Sequence, residues 1–170
     1  MSKQTIEFGP DARGKLMVGI NKLTDAVTTT LGPNGRNVIY GNGETVLSTK
    51  DGVSVAKSIV SLDDPIEDLG IQLIKQASIK TAETAGDGTT TSTLLAREII
   101  QNGLIHLYNG VNAVDLKKGI EEATKEVIEY INSNIKEDIS SEDQLKQIAT
   151  ISANNDPEVG NLIATAMEKV

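Results

Sequence analysis

Gly86-Asp87-Gly88-Thr89-Thr90-Thr91 lies between two long stretches of helical periodicity, and the fold turns on how it is read. Upstream, Ile66, Leu69, Leu73 and Ala77 recur on one helical face after the start signal Asp63-Asp64-Pro65, which predicts a helix running to Gly86. Downstream, Leu95, Ile99 and Leu107 predict a second helix from Thr89 to the stop at Asn109-Gly110. The six residues are therefore a helix end, a turn and a helix start. Two glycines let backbone approach a ligand closely. The open N–H groups and positive dipole end of the new helix attract an anion. Three hydroxyls can donate to phosphate oxygens, and the carboxylate of Asp87 can hold a divalent cation that bridges them. The plainer reading makes Gly86 a helix C-terminal residue, Asp87 a cap and the threonines ordinary first-turn residues. Three consecutive β-branched threonines speak against it, because they are poor helix formers and no cap needs them.

The rest of the chain is punctuated in the same way. Leu16, Ile20, Leu23 and Val27 form a helix stripe after Gly9-Pro10-Asp11, with Asp11 as the expected cap, and Leu31-Gly32-Pro33-Asn34-Gly35 stops it. Val38-Ile39-Tyr40 and Val46-Leu47, around Gly41-Asn42-Gly43, predict a short β-hairpin. Thr49-Lys50-Asp51-Gly52 then leads into a helix expected over Ser54 to Ile59. After Asn112 as cap, Leu116, Ile120, Ala123, Val127 and Ile131 predict a third long helix, with Glu121, Glu122, Lys125, Glu126 and Glu129 on its solvated face. Shorter helices are expected from Ser141-Glu142 and after Asp156-Pro157, and the polar stretch from Ser133 to Ser141 is expected to be an exposed loop. The fold class is mostly α, multihelical, with one small β-hairpin.

Composition narrows the function. Aromatic residues are 2% of the chain, so the core must be aliphatic. A net charge of −8 argues against a general nucleic-acid or anionic-membrane binder. With no cysteine, thiol catalysis, zinc-thiolate sites and disulfides are excluded. The start lacks an apolar signal segment, and no apolar run reaches the ~20 residues of a membrane span, so a cytoplasmic location is expected. His106, among Leu104, Ile105, Leu107 and Tyr108, reads as a packed or surface histidine. Neither a Walker A sequence nor GxGxxG is present. Thr30 to Arg36 and Thr49 to Gly52 each read alone as a turn, but they share with Gly86 to Thr91 a position at a glycine-containing helix end. Three such ends can converge on one polyphosphate.

In this order, Thr30-Leu31-Gly32-Pro33 with Gly35-Arg36-Asn37, Thr49-Lys50-Asp51-Gly52-Val53-Ser54-Val55, Gly86-Asp87-Gly88-Thr89-Thr90-Thr91 and Thr150-Ile151-Ser152-Ala153-Asn154 resemble the amino-terminal part of a group I chaperonin, the GroEL family. The resemblance runs from about Phe8-Gly9 to the last residue. It implies an ATP-binding, Mg2+-dependent site. Thr30, Leu31, Gly32 and Pro33 would line the nucleotide pocket, and Lys50 and Gly52 would lie at the phosphates. Asp87 would hold Mg2+, and Gly88, Thr89, Thr90 and Thr91 would wrap the β- and γ-phosphates. Ile151 and Ser152 would sit near the nucleotide, and Asp51 would be the catalytic residue that helps orient the attacking water.

The resemblance also implies domains and partners. Residues 1–134 would be the first part of an equatorial ATP-binding domain, and residues 135–170 its remaining helix and the start of an intermediate domain. An apical substrate-binding domain and the family's second catalytic aspartate are not found in these residues, so the chain is expected to be a fragment, a truncated form or a short gene product of this family. The implied function is an ATP-dependent protein-folding chaperone subunit. Its partners would be like subunits in a ring, unfolded polypeptides and a co-chaperonin lid, with no nucleic acid and no membrane. Thr5-Ile6-Glu7-Phe8 would pair with the hairpin of a neighbouring subunit. The alternative is a nucleotide-binding or assembly module without turnover. Asn34 departs from the family pattern, which has lysine there, and the hairpin loop and the Ile59 to Pro65 connection differ in length.

Overall fold

The computed structural model describes residues 5–41, 45–59 and 61–169. Its elements are α1 (Gly9–Thr28), β1 (Val38–Gly41), β2 (Val46–Thr49), α2 (Gly52–Ser58), α3 (Pro65–Ala85), α4 (Thr89–Tyr108), α5 (Ala113–Asn134), α6 (Glu142–Ser152) and α7 (Pro157–Met167). The expected multihelical fold with one hairpin is therefore what the chain adopts. The strands pair antiparallel, with Val38 opposite Thr49 and Gly41 opposite Val46; the expected turn at residues 42–44 lies outside the described residues. The chain divides into two compact units, Met1–Asn102 and Gly103–Val170, a partition that cuts α4.

Side-chain caps begin most of the helices. Asp51, Asp64, Asn112, Ser141 and Asp156 each accept from backbone N–H groups of the first turn. α1 is different. It starts at Gly9, so Asp11 is in its first turn and not at its cap, and Phe8 occupies the cap position without a side-chain bond. α2 starts at Gly52, two residues before the expected Ser54, because Asp51 supplies the cap. Residues 5–8 carry no regular structure.

In the first unit the core is aliphatic. Ile20, Leu23 and Val27 of α1 pack with Val55 and Ala56 of α2 and with Ile71 and Ile74 of α3, and Ala96 and Ile100 of α4 lie against this cluster. α1 and α3 approach backbone to backbone. A β-carbon at Gly19 would lie 1.8 Å from the Glu67 carbonyl oxygen, and one at Gly70 would lie 2.1 Å from that of Leu16. This contact decides which face of α3 turns inward. Ile66, Gly70, Ile71, Ile74 and Ser78 are buried, while Leu69 and Leu73, expected on the core face, are 52% and 53% exposed. On α4 likewise, Thr89 and Thr93 are buried, and Leu95 and Ile99 are exposed.

In the second unit α6 and α7 form a tight pair, with Ala149, Gly160 and Ala164 buried. A β-carbon at Gly160 would lie 2.7 Å from the Thr150 α-carbon. The turn between these helices uses Asn154 and Asn155 at φ 57° and 63°, a left-handed conformation that asparagine tolerates better than most residues. α5 carries its expected acidic and basic face, with Lys117–Glu121 and Lys118–Glu122 pairs. Its apolar stripe is not a buried face: Leu116 and Ile120 are half-buried, and Val127 and Ile131 are exposed.

Candidate functional site

Three helix ends meet in the first unit, each shaped by local chemistry. At the end of α1 the Thr30 hydroxyl donates to the Val27 carbonyl at 2.7 Å. The chain then reverses through Gly32 at φ 74°, and the Arg36 N–H donates to the Thr29 carbonyl at 2.8 Å. The turn closes so tightly that a β-carbon at Gly35 would lie 2.2 Å from the Thr30 carbonyl oxygen. Leu31, Gly32, Pro33 and Asn34 are exposed on it.

At the start of α2, the Asp51 N–H donates to the Thr49 hydroxyl at 3.0 Å. The Asp51 carboxylate accepts from the N–H of Ser54 at 2.9 Å, from the Ser54 hydroxyl at 2.5 Å and from the N–H of Val53 at 3.4 Å. This triple hold fixes the carboxylate's direction. Ser54, expected as the first residue of this helix, is instead the third, where its hydroxyl and N–H both reach the capping carboxylate. Lys50 is exposed beside it.

At the start of α4 the chain passes through two left-handed glycines, Gly86 at φ 75° and Gly88 at φ 79°. A residue with a β-carbon is strained at either position. Gly86 ends α3 by donating to the Ala82 carbonyl. The Gly88 N–H donates to the Asp87 carboxylate at 2.6 Å, and the Gly88 carbonyl takes the first bond of α4, from Ser92. The N–H groups of Thr89, Thr90 and Thr91 are thus in the first turn, where a helix offers no acceptor of its own. Asp87, Gly88 and Thr91 are exposed at this mouth.

Tertiary packing brings the three ends together. Thr90 Oγ1 lies 3.3 Å from Thr30 Oγ1, and because Thr30 gives its own proton to Val27, Thr90 is the donor. A β-carbon on Gly52 would lie 2.1 Å from Thr90 Oγ1 and 3.4 Å from Thr89 Oγ1. Thr30, Gly52, Thr89 and Thr90 are therefore in one place, with Lys50 and Asp51 next to them in the chain. Ile151 and Ser152 are the last residues of α6, in the second unit. His106 is exposed on α4.

Such a cluster offers first-turn N–H groups and hydroxyls at glycine-lined backbone, with Lys50, Asp51 and Asp87 close by in the chain, and groups of these kinds can hold a polyphosphate and its cation. A sequence model of the TCP-1/cpn60 chaperonin family matches residues 23–170. The chain belongs to the TCP-1/cpn60 chaperonin family. Among solved structures it is similar to the chaperonin gp146 from the bacteriophage EL 2 (Pseudomonas aeruginosa) in presence of ATP-BeFx. One crystal form matches with 34% identity over 92% of this chain and a TM-score of 0.75. Another matches with 33% identity over 93% of the chain and the same TM-score. A group III chaperonin in the open state shares the fold, with a TM-score of 0.74 at 23% identity. This chain spans 27% of the first of these chaperonins and 32% of the last. No helix among the described residues is long and apolar enough to cross a membrane.

Proposed function

We propose that these residues form the nucleotide-binding portion of an ATP-dependent protein-folding chaperonin subunit of the group I pattern. The observation that carries this reading is the contact of Thr30, Gly52 and Thr90 from three separate helix ends. Gly88, Thr89, Thr90 and Thr91 would hold the β- and γ-phosphates through first-turn N–H groups and hydroxyls. Thr30, Leu31, Gly32 and Pro33 would form the adjoining wall, with Lys50 as counter-charge. Mg2+ bound with the nucleotide would neutralise phosphate charge, and Asp87, exposed at the mouth of α4, is the carboxylate suited to hold it. Asp51, whose direction Ser54 fixes, would orient the attacking water.

For the whole protein we propose the activity of such a subunit. It would be a cytoplasmic ring of like subunits that acts on unfolded polypeptides under a co-chaperonin lid. Support for ring contacts comes from Ile6 and Phe8, 71% and 82% exposed ahead of α1, and from the two-stranded sheet, the one sheet among the described residues, whose edges can take another strand. Deletion of residues 1–8 should weaken self-association in sedimentation velocity and leave nucleotide binding intact. A second reading, nucleotide binding without turnover, is favoured by the engagement of Asp51 in the α2 cap. Calorimetric titration of ATP with and without Mg2+ tests the main reading. Wild type should bind with Mg2+, and Asp87→Ala should lose the Mg2+-dependent part; equal affinity in the mutant sinks the metal role. Phosphate release by the bound chain then separates the two readings.

A further inference from the structure

Arg97 of α4 is about two turns beyond Thr90, and Asp25 of α1 is a little over one turn before Thr30. Arg97 Nη1 lies 2.8 Å from Asp25 Oδ1. The opposite side of the same guanidinium, Nε and Nη2, contacts Glu98 at 3.1 and 2.9 Å. Arg97 is mostly buried, with a side chain 19% exposed, while Asp25 is 70% exposed. The pair joins α1 itself to α4, whereas the Thr30–Thr90 hydroxyl contact joins the turn just after α1 to the start of α4.

We propose that Arg97 is a positioning residue for the phosphate-binding end of α4, acting through Asp25; this rests on the nucleotide reading above. Ala96 and Ile100 pack α4 against the core without directional bonds, so beyond the Thr90 contact the helix can still pivot slightly and roll. A second tie further along removes both motions, so the Thr90 hydroxyl and the first-turn N–H groups keep one direction. Misplacement by about 1 Å is enough to weaken a polar site. An ion pair with so exposed a partner contributes little to global stability. Its effect is on direction, and it is read in binding and in local opening of α4. Glu98 touches the guanidinium but ties it only to α4 itself, so it provides the control.

The test uses the 170-residue chain, MgATP calorimetry, and amide hydrogen exchange at Thr91, Ser92 and Thr93 without nucleotide. Arg97→Met and Asp25→Asn should each weaken MgATP binding about 3- to 5-fold. The double variant should be no weaker than the worse single, because both remove one contact. Arg97→Lys should recover most of the affinity, Glu98→Gln should leave it unchanged, and all should unfold at the wild-type temperature. Exchange at the α4 amides should be faster in Arg97→Met and wild-type in Glu98→Gln. Unchanged exchange in Arg97→Met overturns the inference, and so do additive losses in the double variant. If wild type fails to bind MgATP, the nucleotide reading falls, and exchange alone decides whether Arg97 orients α4.

Discussion

A β-carbon on Gly52 would lie 2.1 Å from the hydroxyl oxygen of Thr90, so the first residue of α2 and the second of α4 touch with no room for a side chain. In Gly52→Ala the Thr90 hydroxyl must swing away, and its contact with Thr30 goes with it. Overpacking of this kind costs typically about 1–3 kcal/mol, and urea unfolding should show a loss in that range. Adding Thr90→Ala to Gly52→Ala should recover the stability, since the clashing oxygen is gone, yet leave MgATP affinity low. Recovery of both would mean that Thr90 serves packing and not the ligand.

Asp51 has two duties that substitution can separate. As the cap of α2 it accepts from backbone N–H groups and from Ser54. Alanine should therefore cost about 1 kcal/mol, whereas asparagine, an equally good cap, should cost close to nothing. The proposed water-orienting role needs the carboxylate charge. Asp51→Asn should thus keep the fold and MgATP binding and lose whatever phosphate release the chain supports. Phosphate release equal to wild type in Asp51→Asn would assign Asp51 to capping alone.

Gly19 and Gly70 carry the largest expected losses. An added β-carbon meets backbone in both cases, at 1.8 Å from the Glu67 carbonyl oxygen and 2.1 Å from that of Leu16. Backbone cannot rotate aside as a side chain can. Gly19→Ala and Gly70→Ala should each lose about 3 kcal/mol or more, the upper end of overpacking costs. Leu69→Gln and Leu73→Gln, on the exposed side of α3, should stay within about 0.5 kcal/mol of wild type. Denaturant unfolding of the four variants measures both expectations.

The same helix marks the limit of what was legible in the sequence. Its start was local and readable, since Asp64-Pro65 is both cap and first-turn proline, and Asn112, Ser141 and Asp156-Pro157 announced their helices in the same way. Its buried face was not. Ile66 begins an apolar series through Leu69 and Leu73 as well as one through Gly70 and Ile74, and periodicity fits both. The choice is made through space, by Gly19 on α1. The site divides along the same line. Each glycine-containing helix end could be read from its own residues, and their convergence could be suspected. The meeting of Thr30, Gly52 and Thr90 depends on how α1, α2 and α4 pack, which no local pattern encodes.

The anchor of α3 gives a pH signature. Lys15 Nζ lies 2.5 Å from Glu7 Oε1 and 3.0 Å from Asp64 Oδ2, so it joins the segment before α1 to the cap of α3. Hydrogen bonds to Glu7 and Asp64 push the Lys15 ammonium up to about 12. The Lys15 hydrogen bond, helped by the N–H groups of Ile66 and Glu67, holds the Asp64 carboxyl below its ordinary 3.8. Asp64 therefore binds a proton less readily folded than unfolded, and its contribution is present at neutral pH and lost as pH falls through its lowered value. Lys15 is the reverse case: its contribution is whole below 10.5 and lost as pH rises through about 12. The stability difference between wild type and Lys15→Met should thus be flat from about pH 5 to pH 10 and shrink beyond both edges. All three groups meet solvent, so the difference should be small and should fall with added salt. Urea unfolding across that pH range measures it, and a difference that grew as pH fell below the carboxylate range would mean that Asp64 is not held by Lys15.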